Sequence, residues 1–261
     1  ETAVSIGAEP INAHLCADDE DLYKVSLQPG DSFFVDATPG PDLEYEVPAG
    51  LSLELIEAGT GNVVASGANE GGVFTAGIRN SEGGEYLVRI SSSDELPQGP
   101  YVLQGYSFAP CPLGGDRFEP NDEPAAATTL EPDKPQQRYL RICPEDTDFF
   151  NVPIDDKSKK IELGLAMIST PRSDDPMDIP EFALDYISPS GDQILEQSQP
   201  AEPASNEAPT PLARVLLAED IEAESVLVRV QGDEDFYHLV NLNPASSQDG
   251  DSQDSEDKQD G

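Results

Sequence analysis

Residues Cys143–Phe150 read Cys-Pro-Glu-Asp-Thr-Asp-Phe-Phe, which sets a thiol, three carboxylates and two aromatic rings side by side. Side chains two apart on a strand share a face at about 6–7 Å, so Asp146 and Asp148 have a spacing at which paired acids can hydrolyse a glycosidic bond. A second oxygen-rich stretch, Glu119, Asn121 and Asp122, lies upstream. If that segment packs back on Asp146 and Asp148, five hard oxygen donors meet, a set that suits Ca²⁺ with its six to eight oxygen ligands. The same residues also have a purely structural use. Asn121 and Asp122 can cap a turn, or a short helix over Ala125–Leu130, through side-chain-to-backbone hydrogen bonds.

Other chemistry finds little support. His14 and His238 are the two histidines, and no His-Glu-x-x-His, Gly-x-Ser-x-Gly or Cys-x-x-Cys occurs. The glycine-rich Gly67–Gly72 lacks the lysine and the strand–loop–helix setting of a phosphate cradle, and reads as hairpin turns. Tyr86, Tyr101, Tyr106, Phe108 and Tyr237 stand at strand spacing and read as core, and the absence of Trp weakens a sugar-stacking surface.

Composition narrows the setting. With 14 Lys+Arg against 52 Asp+Glu, the 261-residue chain carries a net charge of −38. Such a field repels phosphate backbones and anionic lipid, so nucleic-acid and membrane-surface partners are disfavoured. No apolar run approaches the roughly 20 residues of a membrane span. The chain starts at Glu1 without a leader pattern and reads as part of a longer polypeptide lying upstream. Ser246–Gly261 contains no apolar residue, which predicts a disordered acidic tail or linker.

The elements that must position these residues come in two series. Cys16–Val25 (CADDEDLYKV) aligns without a gap with Cys143–Val152 (CPEDTDFFNV). Downstream, Leu51–Gly67 resembles Phe182–Ser198, Glu85–Ile90 resembles Ser225–Val230, and Tyr101–Leu103 resembles Tyr237–Leu239, in preserved order. This is the signature of a duplicated unit. Strands are predicted over Leu22–Leu27, Ser32–Asp36, Leu51–Glu57, Asn62–Ser66, Val73–Ile78, Glu85–Ile90 and Tyr101–Ser107. In the second series they fall over Asp148–Ile154, Lys160–Met167, Phe182–Ser188, Gln193–Glu196, Leu212–Leu217, Ser225–Val230 and Tyr237–Leu242. About seven or eight short strands per unit, without a 3.6-residue period, predict an all-β fold of two tandem antiparallel sandwiches. The expected units are 1–109 and 110–244, followed by the tail at 245–261. Gln197–Pro211 reads as a loop, too proline-rich and polar for a strand.

Asp116-Arg-Phe-Glu-Pro-Asn-Asp122, the alanine-rich Ala125–Leu130 and Cys143-x-x-Asp-x-Asp-Phe-Phe150 together resemble the bacterial pre-peptidase C-terminal domain. The second unit carries the whole pattern, and the first carries it from about Ala3 without the Glu-Pro-Asn-Asp stretch. The resemblance implies a jelly-roll-like sandwich serving as an accessory module of secreted bacterial proteins. Related collagen-binding modules bind extracellular protein and Ca²⁺, which carries a ligand role onto Glu119, Asn121 and Asp122. Two positions before this Glu, where those relatives often have an acid, stands Arg117.

Cys16 and Cys143 hold equivalent places, while Cys111 precedes the Glu-Pro-Asn-Asp segment. The economical pairing is Cys111–Cys143; a Cys16–Cys143 bridge and three reduced thiols are the alternatives. The expected function is non-catalytic: a module of a secreted or cell-surface protein that spaces or anchors it, with an extracellular protein or polysaccharide as partner and Ca²⁺ as stabiliser. A carbohydrate-binding or adhesin module is the alternative, and a paired-Asp hydrolase is the reading from another class.

Overall fold

A computed structural model describes residues 3–7, 9–16, 19–40, 51–70, 73–92, 99–111, 115–131, 136–154, 159–167, 182–201, 212–232 and 235–242. The first ten strands are β1 (Val4–Ser5), β2 (Ile11–Leu15), β3 (Glu20–Leu27), β4 (Ser32–Pro39), β5 (Leu51–Glu57), β6 (Val63–Ser66), β7 (Ala68–Glu70), β8 (Val73–Ile78), β9 (Gly84–Ser92) and β10 (Gly99–Phe108). After a 3-10 turn at Pro124–Ala126 come β11 (Thr128–Thr129), β12 (Gln136–Ile142), β13 (Asp148–Pro153), β14 (Ile161–Met167) and β15 (Phe182–Ile187). The last are β16 (Ile194–Gln197), β17 (Gln199–Pro200), β18 (Leu212–Ala218), β19 (Ser225–Gly232) and β20 (Asp235–Asn241).

The protein is all-β. The strands form four five-stranded sheets, ordered β1-β3-β9-β5-β6, β2-β10-β4-β8-β7, β11-β13-β19-β15-β16 and β12-β20-β14-β18-β17. The last two orders repeat the first two strand for strand. Pairing is antiparallel apart from β1 with β3 and β11 with β13, which run parallel. Each pair of sheets closes on its own apolar core. Val25, Val35, Leu55, Val88 and Leu103 are at the centre of the first, and Phe150, Leu163, Leu184, Val228 and Leu239 at the centre of the second. Alternation explains the burial: in β10, Gly99, Tyr101, Leu103 and Gly105 face inward while the residues between them are half-buried.

Three expectations need correction. Gln199–Pro200 pairs with Val215 and Arg214 as the outermost strand of its sheet among the described residues, an edge position where proline is tolerated. Ala68–Glu70 is likewise a short terminal strand against β8 rather than a turn. In place of a helix over Ala125–Leu130 there is one 3-10 turn followed by β11. The rest of the Gln197–Pro211 segment from residue 202, and the tail at 245–261, lie outside the described residues.

The outer faces of β4, β8 and β10 meet those of β12 and β20. Phe34, Phe108, Tyr139 and Phe236 form a third apolar cluster with Tyr106 against it. Phe34 stacks on Tyr139 at 5.0 Å and meets Phe236 edge-on at 4.8 Å, the offset and T-shaped geometries that aromatic quadrupoles favour. Buried charges are paired across this seam: Arg138 Nη1 lies 3.1 Å from Asp36 Oδ2, and Arg79 pairs with Asp235. Thr75 Oγ1 donates to Asp36 Oδ1 at 2.9 Å, and the Tyr139 hydroxyl donates to the same oxygen. Tyr139 reaches the seam from a bulge in β12, where its φ is +53° and the register against β20 shifts.

Candidate metal centre

The site is assembled from the segment before β11 and the turn that opens β13. Cys143, Pro144, Glu145 and Asp146 make a tight turn in which the Asp146 N–H donates to the Cys143 carbonyl at 3.1 Å. Asp146 also caps that turn, accepting from the Cys143 N–H at 3.1 Å and the Thr147 N–H at 2.7 Å. The Cys111–Cys143 disulfide, with Cα atoms 5.7 Å apart, ties the incoming segment to this turn. Cys16 is an exposed free thiol. The Phe149 N–H donates to the Asn121 carbonyl at 2.9 Å, and the Asn121 N–H donates to Glu119 Oε2 at 3.1 Å. Glu119–Pro120 is a cis peptide.

This stitching brings one carboxylate oxygen each from Glu119, Asp146 and Asp148 within 4.8 Å of one another. Among the described residues no other group of three such side chains comes as close. Asp148 has no exposed surface, and its Oδ2 accepts a hydrogen bond from the buried Tyr237 hydroxyl. Asn121 is equally buried beneath the carboxylates. Asp122 is exposed at the rim, close enough to Asp146 to raise its pKa. Of the five oxygen ligands expected, three therefore converge, Asn121 lies under them and Asp122 stands beside them. Neither Asn121 nor Asp122 caps the 3-10 turn, whose cap position, Glu123, makes no side-chain bond.

Sequence reasoning missed Asp116. Its Oδ1 accepts from the Phe118 N–H at 2.7 Å and its Oδ2 from the Arg141 N–H at 3.1 Å, which holds the segment on β12 and adds a nearby negative charge. Arg117 does not neutralise the cluster. It donates to the Arg138 carbonyl at 2.8 Å and Gln137 Oε1 at 3.0 Å, and lies over the Phe118 ring.

Crowding carboxylates in a partly dry site has a clear electrostatic consequence. Burial, and then the charge of Asp116, pushes Asp148 up to about 9. Burial first, then Asp146, Asp122 and Asp116, raises Glu119 to about 7. Burial and then neighbouring Asp122 raise Asp146 as well. The cluster must bind protons or gather around a cation.

The Asn121 amide is the test of fit. With its nitrogen toward the carboxylates it donates to Glu119 Oε2 at 2.9 Å and Asp148 Oδ1 at 3.2 Å. With its nitrogen toward the Phe149 carbonyl, 3.5 Å away, its oxygen instead joins the carboxylate oxygens. The first arrangement satisfies the amide without any ion; the second needs a proton or a cation among the oxygens, because four bare oxygens repel. The three converging carboxylates are hard oxygen donors of the kind a metal ion takes, and the Asn121 oxygen would join them only with its amide turned the second way.

The first sandwich has a related but different arrangement. The Tyr101 hydroxyl donates to Asp21 Oδ2 at 2.6 Å and is itself bonded to the Tyr23 hydroxyl at 2.5 Å. The Asp19 N–H donates to the Cys16 carbonyl at 3.3 Å, matching the Cys143–Asp146 turn. Phe149 and Phe150, on opposite faces of β13, are both buried. Phe150 lies in the second core, and Phe149 packs outside it with Ile187 and Leu227.

No protein-family model matches the chain, and no curated protein matches it. Among solved structures, it is similar to the pre-peptidase C-terminal domain of a collagenase from Bacillus anthracis. That match has 20% identity and a TM-score of 0.34, and covers 41% of this chain and 96% of the other. A second similarity is to the CUB1-EGF-CUB2 region of human MASP-1/3, at 10% identity and a TM-score of 0.22, covering 85% of this chain and 99% of that one.

Proposed function

We propose that the chain is a non-catalytic accessory module, two tandem copies of a pre-peptidase C-terminal-like sandwich, carried by a secreted or cell-surface bacterial protein. It spaces or anchors that protein and engages an extracellular polymer, and Ca²⁺ locks the junction ahead of the second copy. The observation that carries this reading is the buried convergence of Glu119, Asp146 and Asp148 over Asn121, tied down by the Cys111–Cys143 disulfide. The strand-for-strand agreement of the sheet orders supports the tandem copies. A disulfide is at home in an oxidising compartment. Burial also speaks against hydrolysis: Asp148 is fully enclosed and engaged by Tyr237, so it has no open face for a substrate.

Glu119, Asp146, Asp148 and the Asn121 amide oxygen would hold the ion, with Asp122 at the rim. Bound Ca²⁺ would supply the positive charge that lets buried carboxylates stay ionised. The test is thermal unfolding with and without millimolar Ca²⁺. A raised melting temperature that disappears in Glu119→Ala combined with Asp122→Ala supports the reading, and an unchanged curve in the parent chain removes calcium from it. Retention on insoluble protein or polysaccharide tests the anchoring role.

A further inference from the structure

β6 and β16 hold the same place, at the end of sheets of corresponding order, with a neighbouring strand on one side only among the described residues. Both carry two consecutive large apolar side chains in the open: Val63 and Val64 are 46% and 41% exposed, and Ile194 and Leu195 45% and 48%. These four make up most of the seven exposed large apolar side chains among the described residues. In each case the register against the preceding strand shifts, between Leu55 and Ile56 and between Tyr186 and Ile187. The shift leaves Val64 and Leu195 without a cross-strand partner. The backbone around them matches too: the Gly67 N–H donates to the Leu53 carbonyl at 2.6 Å and the Ser198 N–H to the Leu184 carbonyl at 2.9 Å. A single exposed valine needs no explanation, but the same bare pair at the same bulge in both sandwiches does.

We infer that these two edges are docking ledges for an extended polypeptide segment that carries both basic and apolar side chains. The inference rests on the accessory-module reading and names the chemistry of its partner. The outer side of a terminal strand offers main-chain N–H and C=O groups, which an extended peptide can meet while its side chains cover the apolar pair. Aliphatic side chains with no Trp anywhere in the chain make a poor stacking platform for sugar rings. Charge selects a basic partner. Glu57 flanks the first ledge, Asp192 and Glu196 flank the second, and the whole chain carries −38. The carboxylates of Glu54 and Asp185 beside them are already paired with Arg89 and Arg229. A second copy of this chain would set that charge against itself, so self-association through the edges is disfavoured.

The probe is a labelled decapeptide of alternating Lys and Val, with alternating Lys–Ser and Glu–Val peptides as controls, titrated against the full chain at about 0.3 M salt to screen non-specific charge. The Lys–Val peptide should bind at least about tenfold more tightly than either control. Val64→Ser combined with Leu195→Ser should remove about tenfold of that affinity with an unchanged melting temperature, since both side chains are exposed. Equal binding of Lys–Ser, no binding of Lys–Val, or undiminished binding by the variant overturns the inference. So does a wild-type dimer in sedimentation that these substitutions dissolve. Polymer retention that survives both substitutions would overturn this inference alone and leave the accessory-module reading standing.

Discussion

Asp21 with Tyr101 and Asp148 with Tyr237 occupy matching places in two sandwiches of the same strand order, and each pair shares a tyrosine-to-aspartate hydrogen bond. Their surroundings differ. Asp148 is fully enclosed and faces Glu119 and Asp146. Asp21 is half-buried, and Tyr101 is backed by a second phenol, Tyr23, where the second sandwich has Phe150. One scaffold position thus supports two solutions to a carboxylate near the core. A chain of hydroxyls satisfies the first, whereas the second gathers more acids than its hydrogen bonds can satisfy and so calls for a proton or a cation.

The disulfide should separate the two regions most sharply. Replacing Cys111 and Cys143 by Ser releases a loop spanning 32 residues, a loss of about 3–4 kcal/mol in the chain-entropy account, together with any calcium response. Cys16→Ser, at the matching place in the first sandwich, should leave both denaturant unfolding and the calcium response unchanged because that thiol is exposed. Next come the tyrosines. Tyr237→Phe strips a buried carboxylate of its donor and should cost about 1–3 kcal/mol in denaturant melts. Tyr101→Phe should cost less, about 1 kcal/mol, because water can reach the half-buried Asp21.

The two sites also part in their response to pH. Glu119 and Asp148 have folded values raised to about 7 and about 9, so between the unfolded carboxylate range and those values the folded state holds more protons than the unfolded one. Metal-free stability is therefore fullest at about pH 4 and falls as pH rises toward 9, a decline that melting curves in chelator should show. Calcium should flatten it, and Glu119→Gln should flatten the part near pH 7 without any metal.

Much of this contrast was legible in the residues. The repeated Cys-x-x-Asp-x-Asp-x-aromatic stretch marked both turns, and the predicted strands over Leu51–Glu57 and Val73–Ile78 coincide with β5 and β8. What stayed hidden depends on packing between distant parts. β12 was missed because its outer face is covered by the first sandwich, so Tyr139, Leu140, Arg141 and Ile142 are all buried and no alternation remains to read. The bulge at Tyr139 blurs the pattern further. Asp116 was missed because its role lies in accepting two backbone N–H groups, for which its spacing gives no signal. The shortest strands, β1, β7, β11 and β17, hold only two or three residues each and owe their pairing to the neighbouring strand rather than to their own composition.

Direct calcium titration by calorimetry tests the contrast most plainly. The chain should bind one ion, with binding kept in Asp21→Asn and lost in Glu119→Gln. No binding, or a second ion lost in Asp21→Asn, would contradict the account.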